Sequence, residues 1–155
     1  MSSFDPDQFM NTTVEGELDT KRPVVPASQY NCQVFKVTPK SGTIGKGDNA
    51  GKTWASFVLT LEVMDEAVKE EMNQDKVFVS YNIFLDLTDS EQLDMSKGKN
   101  VQLGKLRNAV GQNDGSPWTP AMLLGQMVEA DVVVGVNNNT GDEINNVRGV
   151  AAYEG

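Results

Sequence analysis

Three sets of residues in this sequence could do chemistry: lysines around a glycine-rich stretch, aromatics on alternating segments, and paired carboxylates. Lys36, Lys40, Lys46 and Lys52 fall in or beside the stretch Pro39-Lys40-Ser41-Gly42-Thr43-Ile44-Gly45-Lys46-Gly47-Asp48-Asn49-Ala50-Gly51-Lys52. A phosphate-cradling P-loop needs four residues between its first glycine and Gly-Lys-[Ser/Thr], with a helix to follow. Gly51-Lys52-Thr53 is preceded by Gly47 and Gly45 at the wrong spacings, and a strand pattern follows it. Nucleotide hydrolysis is therefore not expected. The carboxylate pairs Asp86/Asp89 and Glu129/Asp131 have no histidine to work with, because the chain contains none. That also removes the commonest metal ligand. Asn137-Asn138-Asn139-Thr140-Gly141-Asp142 is rich in oxygen but lacks the calcium-loop spacing and reads as a hairpin turn. No enzyme, metal or cofactor is expected. What the lysines can still do is hold the phosphates of a nucleic-acid backbone, with aromatics stacking its bases.

The overall charge opposes that use, but its distribution does not. The chain carries a net charge of −9. Acids gather in Asp5–Asp19, Glu62–Asp75 and Asp86–Asp94; bases gather in Lys36–Lys52 and Lys97–Arg107, where Asp48 is the only acid. Such segregation allows a local cationic groove on an acidic protein. The single cysteine, Cys32, excludes an internal disulfide and fits a reducing compartment. The first residues show neither a basic nor an apolar leader region, and no apolar run approaches the ~18 residues of a membrane span. Neither secretion nor a membrane is expected.

The elements that would position these residues are mostly strands. Strand one is expected at Tyr30–Thr38, strand two at Thr53–Met64 and strand three at Lys76–Leu87. In strand two, Ala55, Phe57, Leu59, Leu61 and Val63 face one way, with Trp54, Ser56, Val58, Thr60 and Glu62 on the other side. In strand three Val77, Val79, Tyr81, Ile83 and Leu85 oppose Phe78, Ser80, Asn82, Phe84 and Asp86. The polar stretch Asp65–Asp75 between these strands reads as a helical turn or two. A helix follows strand three: Val101, Leu103, Leu106 and Val110 make its apolar stripe, Asn100 its N-cap and Gly111 its stop. Thr119-Pro120 opens a second short helix that ends at Gly125. Strands four and five are expected at Gln126–Val134 and Glu143–Tyr153. Residues 1–29, acidic and proline-punctuated, form an extended N-terminal arm with a short helix at Asp7–Met10. Residues 30–155 form the domain. Three strands, a helix and two strands is the order of a five-stranded OB-fold barrel in a mainly β protein, with the helix as the plug of one barrel end.

Several short runs carry a family likeness: Thr20-Lys21-Arg22-Pro23, Ile83-Phe84-Leu85-Asp86-Leu87-Thr88, Leu93-Asp94-Met95, Lys97-Gly98-Lys99-Asn100, Leu103-Gly104-Lys105-Leu106-Arg107, Leu124-Gly125 and Asn146-Val147. With these, residues 20–152 resemble small phage-encoded single-stranded-DNA-binding-like proteins with an OB-fold. The resemblance implies non-catalytic, sequence-tolerant single-stranded DNA binding in phage replication or recombination, in the host cytoplasm, with replication or recombination proteins as further partners. Phage single-strand binders commonly carry an acidic C-terminal tail; Glu154-Gly155 makes none. On this reading Lys36, Lys40, Lys46 and Lys52 hold phosphates along one rim. Lys105, Arg107 and Arg148 extend the track, with the two α-helical bases the weaker members. Trp54 stacks bases together with Tyr81 or Phe84. A homodimer is also expected, through edge strands or the arm. The alternative is a phage capsid-decorating or assembly module that uses the arm to wrap a neighbour and binds no nucleic acid.

Overall fold

The computed structural model describes residues 3–153; the readings of the chain's first two and last two residues lie outside that range. Five antiparallel strands form one sheet in the order β3-β2-β1-β4-β5. The strands are β1 (Ser28–Thr43), β2 (Thr53–Val63), β3 (Phe78–Leu85), β4 (Met127–Val136) and β5 (Glu143–Ala152). β1 serves both halves of the sheet. Its first part, Ser28–Gln33, pairs with β4, and from Cys32 to Thr43 it pairs with β2. A bulge at Phe35, between Val34 and Lys36, interrupts the second ladder. One extra residue there bends the strand and changes which β1 side chains share a face with β2.

Strict alternation in β2 and β3 builds the core. Leu59, Leu61 and Ile83 are fully buried, and Cys32, Val34, Val128, Ala130 and Val132 meet them from β1 and β4. Helix α3 (Val101–Ala109) adds Leu103 and Leu106, and a 3-10 turn at Pro120–Leu123 adds Leu123. Each such aliphatic side chain contributes about 1.5–3 kcal/mol by leaving water. α2 (Glu66–Met72) spans β2 and β3, with Asp65 accepting from the Val68 amide as its cap. No helix among the described residues is long and apolar enough to cross a membrane.

Three expectations need correction. First, the sheet is not closed into a barrel. β3 and β5 approach within 8 Å between Cα atoms, yet no ladder joins them. Side chains of α3 occupy the edge that β5 would need. Gln102 accepts from the Phe84 amide and donates to the Asn82 carbonyl; Asn100 accepts from the Asp86 amide and donates to the Asp86 carbonyl. Second, Asn100 is not a side-chain N-cap: its φ is +53° and its amide is committed to β3 and to the Asp94 carbonyl. Third, the β1–β2 ladder runs on to Thr43 and Thr53, which shortens the glycine-rich loop to residues 44–52. That loop has its own bonds, from Ile44 N to the Lys52 carbonyl and from Gly51 N to the Ile44 carbonyl.

The arm carries one short helix, α1 (Pro6–Phe9), capped by Asp5. Residues 3–23 are exposed throughout. Val25, in contrast, is 1% exposed and exchanges two hydrogen bonds with the Asn145 amide on β5.

Candidate nucleic-acid interface

Register decides which side chains share the outer face of β1, β2 and β3, because residues directly opposite in a ladder project to the same side. After the bulge, Lys36 stands opposite Thr60, Thr38 opposite Val58, Lys40 opposite Ser56 and Gly42 opposite Trp54. The rows continue onto β3, where Thr60 meets Ser80, Val58 meets Asn82 and Ser56 meets Phe84. Lysines therefore line one side of this face and β3 the other, with small or hydroxylated side chains between them. The face carries an acid only in its end rows, at Glu62 and Asp86. Glu62 is paired to Lys69 at 3.9 Å, and Asp86 accepts from the Asn100 amide N–H.

Aromatic groups sit at both ends of the face. At one end the Trp54 indole lies across Gly42: a Cβ placed there would meet Nε1 at 2.6 Å. Only glycine lets the ring lie that close to the strand, and Trp54 keeps 38% of its surface exposed. Phe84, in the next row, is 63% exposed. Between Lys40 and Phe84, Ser56 is only 3% exposed. At the other end Phe35 and Phe78 form an edge-to-face pair with centroids 5.0 Å apart, and Lys76 Nζ lies 5.8 Å from the Phe35 ring. These exposed rings can stack bases, and the lysines beside them can hold phosphates.

The expected site residues divide by location. Lys36, Lys40, Trp54 and Phe84 come together on this face. Lys46 and Lys52 are exposed on the β1–β2 loop beyond its Trp54 end; Lys52 pairs with Asp89 at 3.8 Å across solvent. Arg148, on β5, lines the groove between β3 and β5 that adjoins the face. Its guanidinium is held by Asp131 at 2.8 Å, which offsets its charge. Tyr81 belongs to the core parity of β3 and is 7% exposed, so it fills the core, although it also lines the groove between β3 and β5. Arg107 is engaged by its own neighbours. It stacks over Trp118 at 4.6 Å and donates to the Gln112 carbonyl, tying α3 to the following segment. Lys105 is exposed on α3, outside the strands that form this face.

Phe35, Phe78 and Lys76 were not among the expected site residues. Plain alternation places Phe35 with Gln33 and Asn31 on the outer side; what the bulge conceals is that Lys36 and Lys40, of the opposite parity, join the same face, and nothing in the local sequence marks the inserted residue. Elsewhere, burial pushes the Cys32 thiol up to about 12, which leaves it a packing residue and no nucleophile. No cluster of acids, cysteine or histidine able to hold a metal occurs among the described residues. No protein-family model matches the chain, and no curated protein matches it.

Proposed function

We propose that the protein is a non-catalytic, sequence-tolerant single-stranded DNA-binding protein that uses the outer face of β1–β3. The observation that carries this reading is the grouping of Lys36, Lys40, Trp54 and Phe84 on one acid-poor face of a chain with net charge −9. An acidic protein has no structural need to collect unpaired cations and half-exposed rings in register. The strand order β3-β2-β1-β4-β5, with a helix between β3 and β4, supports an OB-type barrel left open at the β3–β5 seam. The resemblance to phage single-stranded-DNA-binding-like proteins supports a role in phage replication or recombination in the host cytoplasm, beside proteins of that machinery.

Titration with an oligo-dT strand, followed by tryptophan fluorescence at two salt concentrations, tests this. Quenching with an affinity that falls as salt rises is expected, at a log–log slope of about −0.7 per phosphate neutralised. Lys40→Ala should reduce that slope by about one such increment. Unchanged fluorescence and unchanged gel mobility at low salt would overturn the reading.

One observation favours a second reading, a phage structural or assembly module. The arm exposes Phe9, Met10, Val14 and Leu18 along one acidic segment, a composition suited to wrapping a neighbouring subunit. Co-sedimentation with virions and absence of oligonucleotide binding would select it.

A further inference from the structure

We infer that the groove between β3 and β5 is a base pocket selective for adenine, read by the amides of Asn82 and Asn146 beside the Phe84 ring. This rests on the nucleic-acid reading above and names the base that one position of the face prefers.

The groove encloses about 450 Å³. Val58, Asn82 and Phe84 line it on one side, and Asn146 and Arg148 on the other. Four amide side chains reach this seam, and they have different employment. Gln102 is committed to the edge of β3. Asn145 is committed to Val25 and to the Val133 carbonyl. Asn82 and Asn146 make no side-chain hydrogen bond among the described residues, although the neighbouring asparagine makes three. The adjacent pair Asn145-Asn146 thus splits into one structural amide and one available amide. Gly135 sets the position of the second: a Cβ there would lie 2.9 Å from Asn146 Nδ2, so the amide rests against bare backbone.

A primary amide presents one donor beside one acceptor. It matches any base edge with the complementary pair. Adenine offers such a pair on two edges, N6 with N7 and N6 with N1. The two pairs of adenine can be used at once because N6 carries two hydrogens. Cytosine offers one pair, and thymine has a single N3–H between O4 and O2 and so serves one amide at a time. The Watson–Crick and N7/O6 edges of guanine offer one pair, N1–H with O6. Two free amides brought in by different strands fit a base with two readable edges. Phe84 supplies a stacking surface for that base, while Lys40 lines the same groove for a flanking phosphate.

The test compares (dA), (dC) and (dT) oligonucleotides of equal length at one salt concentration, by fluorescence anisotropy. The wild-type protein should bind (dA) about tenfold tighter than (dT). Asn82→Ala and Asn146→Ala should bring (dA) down to the level of (dT), with (dT) affinity and the salt slope unchanged. Both side chains are solvent-exposed, so the fold is retained. Gly135→Ala, which displaces the Asn146 amide without removing it, should move (dA) in the same direction. Equal affinity for (dA) and (dT), or an equal loss for all three strands in the asparagine variants, overturns the pocket and leaves the nucleic-acid reading standing. Failure of every oligonucleotide to bind overturns both.

Discussion

The pairing of Trp54 with Gly42 shows how much one residue decides. The indole can lie flat on β1 only because position 42 has no side chain. Gly42→Ala should lift the ring, blue- or red-shift its emission and weaken oligo-dT binding by part of the ~1–3 kcal/mol that a stacked base contributes. Trp54→Ala should remove the whole of that contribution, and the two losses should not add, since both act through one ring. An unchanged emission spectrum in Gly42→Ala would refute the contact. Cys32 makes a separate prediction. Its pKa is raised from 9.0 to about 12 by burial. The neutral thiol is the form the fold accommodates, so its contribution is fully present below pH 9. Above that pH the unfolded chain releases the proton first, and stability falls as pH climbs toward 12. Burial pushes the Tyr30 hydroxyl up as well, with Asp65 and Glu71 adding to the shift, so both groups steepen the alkaline limb. Denaturant unfolding at stepped alkaline pH should show a shallower limb in Cys32→Ala, and the native thiol should resist alkylation at pH 8.

At the scale of elements, α3 does two jobs that pull on different residues. Leu106 is fully buried in the core, and Leu106→Ala should cost about 2–5 kcal/mol in denaturant unfolding. Asn100 and Gln102 face the other way and satisfy the free edge of β3. Replacing Gln102 with Ala leaves the Phe84 amide and the Asn82 carbonyl without their partner. Their amide-exchange protection should drop while that of β2 stays high, a local effect measurable by hydrogen exchange. Protection that stays the same at Phe84 would mean that β5 already covers the edge. This division explains what the sequence made legible. Leu103 and Leu106 announce themselves by spacing, as do the core faces of β2 and β3. Asn100 and Gln102 look like ordinary helix-start residues, because their role depends on a strand edge far along the chain. The same holds for the candidate site. Trp54 was visible from type and alternation, and the lysines from their clustering in the sequence. The bulge hid that Lys36 and Lys40 share a face with Trp54, Tyr81 was named for stacking although its parity matched the core residues Val79 and Ile83, and the stacking of Arg107 on Trp118 was out of sight because Trp118 comes from a loop.

At the scale of the whole molecule, the question is how a protein of net charge −9 would tolerate a polyanion. Distribution answers it: the outer face of β1–β3 concentrates Lys36 and Lys40, while acids collect on α2, on residues 86–94 and on the arm. Residues 1–22 contain five acids against two bases. Their removal subtracts net negative charge and leaves the core untouched, since residues 3–23 are exposed throughout and the first buried side chain is Val25. A variant lacking residues 1–22 should therefore unfold at the same temperature as the full chain. Extending the deletion through Val25 should lower that temperature, because the Asn145 amide loses both of its partners on Val25 and a core position empties. Losing the arm should also tighten oligo-dT binding at low salt, through relief of like-charge repulsion, and the gain should vanish near 1 M salt, where the screening length is about 3 Å. The slope of affinity against salt should steepen with it, because the gain is present at low salt and absent at high salt while Lys36 and Lys40 remain. Circular dichroism melts and anisotropy titrations at two salt concentrations check the pair of claims together. A drop in melting temperature from the shorter deletion would show that the arm packs on the domain or on a second copy. An affinity that does not change at low salt would show that the arm's charge lies too far from the face to be felt.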